Sequence, residues 1–185
     1  MGDLREMGVK FAPDLVLVAY VLNDADYAGN LDVWEGFRQQ YEKSWCRFSH
    51  ALSFAYARLG QRFFVRKYVA EMTARSLREE ETWLRSFKEL EKGREIARSV
   101  GAAFAVAILP FMYDLSDDNP FLPIHKLIQH YCIHHGIPVT DLLPVFKGWK
   151  YADLWVHESD PHPNEKGHEL IARGLFDFII SKQLL

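Results

Sequence analysis

Three apolar runs separated by helical patterns place the strongest constraint on the fold of this chain. They are the stretches DLVLVAYVL at 14–22, AAFAVAIL at 102–109 and the shorter IPVTDLL at 137–143. Runs of this kind, rich in Val, Leu and Ile and bounded by Pro or turn residues, are typical of strands buried on both faces. Buried strands that alternate with helices predict an α/β fold with a parallel sheet and crossover connections.

The segments between these runs carry apolar residues at three- and four-residue spacing, which predicts amphipathic helices. One helix is expected to end at Gly101, another to end at Gly136, and the last to begin near Asn164. The first connection is much longer than a crossover requires. We therefore expect a single domain over 1–185 with a helical insertion at about 26–80. Its aromatic and basic residues suit a lid or an interaction surface, although a plain helical layer with a solvated face fits them as well.

Composition excludes several classes of protein. The net charge of −3 over 185 residues gives no sign of a nucleic-acid partner. A membrane span needs about 20 consecutive apolar residues, and no apolar run here approaches that length. No targeting signal is present, so a cytoplasmic location is the default expectation. Cys46 and Cys132 are far apart and form no metal or redox motif. Without a glycine-rich phosphate-binding loop, no nucleotide cofactor is expected.

The stretch SDPHPNEKGH at 159–168 places polar residues at the start of the last helix. Asn164 is a good N-cap, and Pro163 stops the helix from extending backward. His162 is therefore expected on a loop that delivers it to a helix N-terminus, where the helix dipole disfavours an imidazolium ion. Asp160 can accept a hydrogen bond from one ring nitrogen and fix the tautomer. This arrangement is typical of a general base with its orienting acid.

The same stretch resembles the last motif block of the SGNH/GDSL hydrolases, which is written Asp-x-x-His-Pro-Asn followed by Gly-His. The matching residues are His162, Pro163, Asn164, Gly167 and His168. The acid departs from the pattern, because Ser159 stands three residues before the histidine and the aspartate is one residue closer, at Asp160. We carry the role of the acid to Asp160.

A second block of the family has the form Gly-x-Asn-Asp and follows a central strand. Asn23 and Asp24 match its Asn-Asp, while Val21 replaces the glycine. Carboxyl ends of strands are where open parallel sheets place their sites. An Asn amide there can donate a hydrogen bond to a developing oxyanion, although Asn-Asp is also common in turns. The resemblance runs from about Lys10 to the end of the chain.

The resemblance implies a three-layer, flavodoxin-like α/β sheet and ester hydrolysis by a Ser-His-Asp mechanism. In that mechanism a Ser attacks an acyl carbonyl while His162 takes its proton. Asp160 orients the imidazole and Asn23 stabilises the oxyanion. No cofactor is required. The substrates implied are small acyl esters, acetyl groups on carbohydrates among them.

The nucleophile of the family is missing from this chain. It is the Ser of a Gly-Asp-Ser block upstream of the Asn-Asp strand, whereas only thirteen residues precede Asp14 here and they contain no Ser. The sheet is therefore expected to be N-terminally incomplete, with an apolar edge that needs a cover. Three explanations stay open: a fragment of a longer hydrolase, a short form completed by another copy or a partner, or another Ser such as Ser116 or Ser159.

Two further interpretations compete with the hydrolase. The chain fits an inactive relative that binds a ligand or partner through the helical insertion. A cluster of histidines on one predicted helix also allows a metal site, although an exposed helix face explains it more simply and we predict no metal. These histidines are His125, His130, His134 and His135. The acidic loop at 114–119 is interpreted as a solvated turn, not a calcium loop.

Overall fold

Three parallel strands form the central sheet of the protein. The computed structural model describes residues 2–22, 38–39, 41–56, 70, 74, 80–112, 114–157 and 160–185. The strands are β1 (Leu15–Val21), β2 (Ala103–Leu109) and β3 (Val139–Asp141). They lie in the order β1-β2-β3, with Leu15 opposite Ala103 and Val106 opposite Val139. The predicted α/β fold with a parallel sheet is confirmed, and each strand lies within one of the three apolar runs.

Helices connect and cover these strands. They are α1 (Gly2–Glu6), α2 (Glu80–Ser99), α3 (Leu122–His134) and α4 (Glu165–Ser181), with 3-10 turns at Gly8–Phe11, Trp45–Phe48, Leu143–Phe146 and Tyr151–Leu154. Gly101 and Gly136 follow α2 and α3 with φ of +80° and +64°, a conformation that favours glycine. The predicted ends of both helices therefore have a backbone cause.

The two faces of the sheet pack against different helices. On one face, Val106 and Ile108 lie in a core cluster with Phe87 of α2 and Ile128 of α3. On the other face, Ala107 lies in a second cluster that includes Leu170 of α4. Because successive side chains of a strand point to opposite faces, β2 contributes to an apolar cluster on each of its two faces.

The strands β1 and β2 differ in burial. Residues 104–108 of β2 are all buried, whereas 15–18 of β1 are half-buried and Ala19 is exposed. Within the described ranges no strand pairs with the outer edge of β1. Among the described strands, β1 is thus an edge strand of the sheet.

A small hairpin precedes the last helix. It consists of β4 (Trp155–His157) and β5 (Asp160–Pro163), which pair antiparallel with Trp155 opposite Pro163. The expectation that His162 lies on a loop is therefore wrong, since it lies on β5. Two prolines and polar neighbours in DPHP leave no alternation of apolar and polar residues from which a strand is predicted.

Most of the helical insertion predicted at about 26–80 lies outside the described residues. Within its described part, residues 38–39, 41–43 and 50–56 are helical, and Trp45–Phe48 form a 3-10 turn. Among the residues that the structure describes, no helix has the length and apolar character needed to cross a membrane.

Candidate active site at the start of the last helix

The N-terminus of α4 is fixed by Asn164, as its sequence position predicts. The Asn164 side chain accepts hydrogen bonds of 3.0 and 3.1 Å from the backbone N–H groups of Lys166 and Gly167. Its amide nitrogen donates to the carbonyl oxygens of Asp153, at 3.0 Å, and Trp155, at 3.1 Å. One side chain therefore caps the helix and ties it to the hairpin that carries His162.

Gly167 lets the first turn of α4 press against this hairpin. A Cβ atom at Gly167 would lie 2.8 Å from Cβ of Pro163 and 3.3 Å from the carbonyl oxygen of Leu154. Any larger residue would push α4 away from the backbone next to His162. The absence of a side chain at Gly167 therefore permits this close packing.

Asp160 holds both the ring and the backbone of His162. Oδ1 of Asp160 lies 2.5 Å from Nδ1 of the ring and 3.1 Å from the backbone nitrogen of His162. The His162 side chain is 82 % exposed and that of Asp160 is 46 % exposed. Because one ring nitrogen is engaged and the ring is so exposed, Nε2 is accessible to a substrate.

The electrostatics of the pair favour an ionised acid. The hydrogen bond from the His162 ring, followed by the one from its backbone, lowers the pKa of Asp160 below the usual value of an aspartate. An ionised carboxylate only accepts hydrogen bonds, so Nδ1 of His162 carries a proton. In the neutral ring this leaves the lone pair on Nε2, which is the form that a general base requires.

The hairpin lies at the carboxyl ends of the sheet strands. Nε1 of Trp155 on β4 donates a hydrogen bond of 2.5 Å to the carbonyl oxygen of Met112, three residues beyond the end of β2. Met112 packs in the same apolar cluster as Leu142, which directly follows β3. His162, opposite β4 in this hairpin, is thus carried on the side of the sheet where the strands end.

Asn23 and Asp24 lie outside the described residues, as does Ser159. The residue before Asn23, Leu22, is fully buried and directly follows β1. The role of Asn23 as an oxyanion donor therefore stays a prediction.

Ser116 is held in a local turn and not by His162. Its backbone N–H and its hydroxyl both donate to Oδ1 of Asp114, at 2.9 and 2.6 Å. In the same loop Asn119 is buried, and its Oδ1 accepts a hydrogen bond of 2.8 Å from the backbone N–H of Phe121. The loop interpreted as a solvated turn thus has a buried anchor.

Three of the four clustered histidines lie next to one another at the end of α3. The rings of His130 and His134 stack with centroids 6.3 Å apart, and Nδ1 of His135 lies 2.9 Å from a carboxylate oxygen of Glu91. Across the described portion of the chain, no group of three His, Cys, Asp or Glu residues is arranged to hold a metal ion.

His125 leaves this cluster entirely. It is buried and pairs with Asp141 at the end of β3. This pair was not predicted from the sequence, although the Asp in the otherwise apolar run IPVTDLL indicates that a polar partner lies nearby.

Comparisons with protein-family models, with curated proteins and with solved structures find no match to this chain. The resemblance to the SGNH/GDSL hydrolases therefore depends on the motif residues themselves.

Proposed function

We propose that this chain provides the general base and the orienting acid of an SGNH/GDSL-type ester hydrolase on a flavodoxin-like sheet. His162 takes the proton of the attacking oxygen, and Asp160 holds its imidazole in the Nδ1–H form. The observation that carries the proposal is the short contact between Nδ1 of His162 and Oδ1 of Asp160 in an exposed ring.

A purely structural role explains this pair poorly. Exposed ion pairs contribute about 0–1 kcal/mol to the free energy of unfolding. The contact between His162 and Asp160 is therefore too weak to account for the position of β5. The hairpin is already anchored by Asn164 and by the Trp155 indole. An exposed imidazole with a fixed tautomer is, in contrast, what proton transfer requires.

The attacking oxygen in this proposal belongs to a Ser or to water. In the Ser mechanism the hydroxyl oxygen bonds to the acyl carbon and its proton passes to Nε2 of His162. The same proton then goes to the departing alkoxide, and a water repeats the sequence to release the acid. Asn23 is assigned to the oxyanion by resemblance.

The edge of β1 that pairs with no described strand is where we propose that the nucleophile is supplied. A strand added parallel to β1 would end at the same side of the sheet as the β4–β5 hairpin, because parallel strands share the direction of their carboxyl ends. Such a strand, from a further segment or from another copy, would carry a Ser toward His162. Residues 15–18 of β1 are half-buried and suit further pairing.

Aromatic side chains near the hairpin favour acyl esters of carbohydrates as substrates. Nζ of Lys166 lies 5.5 Å from the centre of the Trp149 ring, and the rings of Tyr151 and Trp155 are 5.0 Å apart. Trp149 and Tyr151 are 41 % and 43 % exposed, which leaves ring surface for the C–H groups of a sugar.

A fluorophosphonate probe tests where the nucleophile resides. The probe phosphonylates a Ser whose proton is withdrawn by a base, with fluoride as the leaving group, and mass spectrometry locates the adduct. Labelling of one Ser that disappears in His162→Ala is the result expected if the chain holds its own nucleophile. Turnover of an activated ester without labelling indicates water as the nucleophile. The absence of both labelling and turnover indicates either the inactive binding protein or a chain that needs a further segment to supply the Ser.

A further inference from the structure

A second histidine–aspartate pair is buried where α3 meets the end of β3. Nδ1 of His125 lies 2.9 Å from Oδ2 of Asp141, and the side chains are 1 % and 13 % exposed. Oδ1 of Asp141 accepts a hydrogen bond of 2.9 Å from the backbone N–H of Leu143. The carboxylate thus joins the first turn of α3 to the turn that follows β3.

These contacts fix the proton on one nitrogen of the ring. Asp141 accepts on both oxygens, so Nδ1 of His125 is the donor. Nε2 of His125 is buried and has no hydrogen-bond partner among the described residues. At this buried nitrogen, an unpaired lone pair costs less free energy than an N–H group without an acceptor. The Nε2–H tautomer would also place the lone pair of Nδ1 against a carboxylate oxygen of Asp141. The ring is therefore held in one tautomer and one orientation.

The turn held by Asp141 is the surface on which α4 is seated. A Cβ atom at Gly174 would lie 2.9 Å from Cδ2 of Leu142 and 2.9 Å from Cγ1 of Val145. The helix backbone therefore touches these two side chains directly, and a shift of the turn displaces α4. Leu142 is itself fixed by a 3.0 Å hydrogen bond from its N–H to the carbonyl of Ile108 on β2.

The other end of α4 carries the candidate site. Asn164 caps the helix two residues after His162, and it binds the backbone of the same hairpin. A continuous set of contacts thus runs from His125 through Asp141, the turn at 142–145 and α4 to His162.

We propose that His125 and Asp141 are a positioning pair, which seats α4 and thereby sets the place of His162 at the carboxyl ends of the strands. This inference rests on the proposed function of His162, but its structural half is measurable without catalysis. Neither residue touches the reacting atoms. Their effect on the reaction is through the position of the base.

The tautomer is measured first, on the unchanged chain. Two-dimensional ¹H–¹⁵N spectra of the histidine side chains distinguish a ring protonated on Nδ1 from one protonated on Nε2. We expect the Nδ1–H form for His125, assigned by its loss in His125→Asn. An Nε2–H form would overturn the proposal. Only the variant used for assignment, His125→Asn, has to fold for this experiment.

Two substitutions at His125 then separate hydrogen bonding from packing. His125→Asn keeps a donor close to the position of Nδ1, whereas His125→Leu fills the space without a donor. His130→Leu, at an exposed position of the same helix, is the matched control. We expect the side-chain resonances of His162 to shift in His125→Leu and to stay near their original positions in His125→Asn and His130→Leu.

Kinetics give the second readout. For an activated ester we expect kcat to fall about tenfold or more in His125→Leu with KM changed less than about twofold, because a misplaced base loses transition-state stabilisation and not substrate binding. His125→Asn should recover most of kcat. Equal losses in the two His125 variants would contradict the proposal.

The two proposals can fail separately. If turnover does not depend on His162, the proposed function fails, and the resonances of His162 still decide whether His125 positions it. If His125→Leu does not fold, Asp141→Asn replaces it, since it keeps the size of the side chain but turns one of the two acceptors into a donor. That donor opposes either the Nδ1–H group of His125 or the N–H group of Leu143. Unchanged His162 resonances in a folded Asp141→Asn would overturn the positioning role.

Discussion

The two histidine–aspartate pairs of this protein use the same groups in opposite surroundings. Asp160 and His162 are two residues apart, and the ring is 82 % exposed. His125 and Asp141 are sixteen residues apart, and that ring is 1 % exposed. Each aspartate faces Nδ1 of its histidine, and each also accepts a hydrogen bond from a backbone N–H.

Exposure decides what each pair does. The exposed pair leaves Nε2 of His162 accessible, so its lone pair is available for proton transfer, while water screens its contribution to stability. The buried pair leaves Nε2 of His125 enclosed, so no substrate reaches it, while losing either partner strands a polar group in the interior. Similar geometry therefore suits proton transfer at one site and packing at the other.

The largest effect is expected for Asp160→Asn in an assay of ester hydrolysis. An amide does not hold the Nδ1–H tautomer as a carboxylate does, so kcat should fall on the order of 10²–10⁴-fold. Asp177→Asn, at an exposed position of α4, is the control and should leave kcat unchanged. Wild-type turnover in Asp160→Asn would remove the acid role from this residue.

At the buried pair, in contrast, the main effect of a substitution is expected on the free energy of unfolding. His125→Leu leaves the carboxylate of Asp141 without one of its two partners, and we expect unfolding to require about 2–3 kcal/mol less free energy. His162→Ala should leave the midpoint of urea unfolding close to that of the unchanged chain. Equal midpoints for the two variants would erase the distinction between the pairs.

A smaller loss of stability is expected for Asn164→Ala. The substitution removes the cap of α4, one hydrogen bond to the hairpin at Trp155 and one to the preceding turn at Asp153. It should lower the free energy of unfolding in urea by about 1–2 kcal/mol. Asn164→Asp keeps the capping oxygen but loses the amide donor. Its free energy of unfolding should lie between those of the unchanged chain and Asn164→Ala. A loss that is the same for Ala and Asp would assign the whole effect to the ties with Asp153 and Trp155.

The smallest effect concerns the acidity of Asp160. The hydrogen bonds from His162 lower the pKa of its carboxyl group, so the interaction stabilises the fold above the usual aspartate pKa of about 3.9 and is lost as the pH falls through the lowered value. In His162→Ala the pKa of Asp160 should rise. A ¹³C titration of the Asp160 carboxyl carbon measures this directly, and an unchanged value would show that the contact does not persist in solution.

Much of the fold was predictable because it depends on local patterns. The run AAFAVAIL predicts a strand that is buried from residues 104 to 108, and Gly101 and Gly136 predict the ends of two helices. Asn164 and Gly167 were likewise predictable, since a helix cap and a close approach depend on residues a few positions apart. These features need no knowledge of distant contacts.

The hairpin and the buried pair were not predictable in this way. β5 contains two prolines and no apolar alternation, and it is held in place by its pairing with β4. Trp155 binds β4 to the loop after β2, and Asn164 binds it to the start of α4. His125 belongs by spacing to a row of helix histidines, and only the packing of α3 on β3 brings it to Asp141. Contacts between distant segments decide both.

Hydrolysis of p-nitrophenyl acetate by the purified chain, compared with His162→Ala and the control His168→Ala, tests the central claim most directly. We expect His162→Ala to lower kcat about 10²–10⁴-fold, the usual contribution of a general base, and His168→Ala to leave it unchanged. Turnover that is the same in all three proteins would contradict the assignment of His162 as the base.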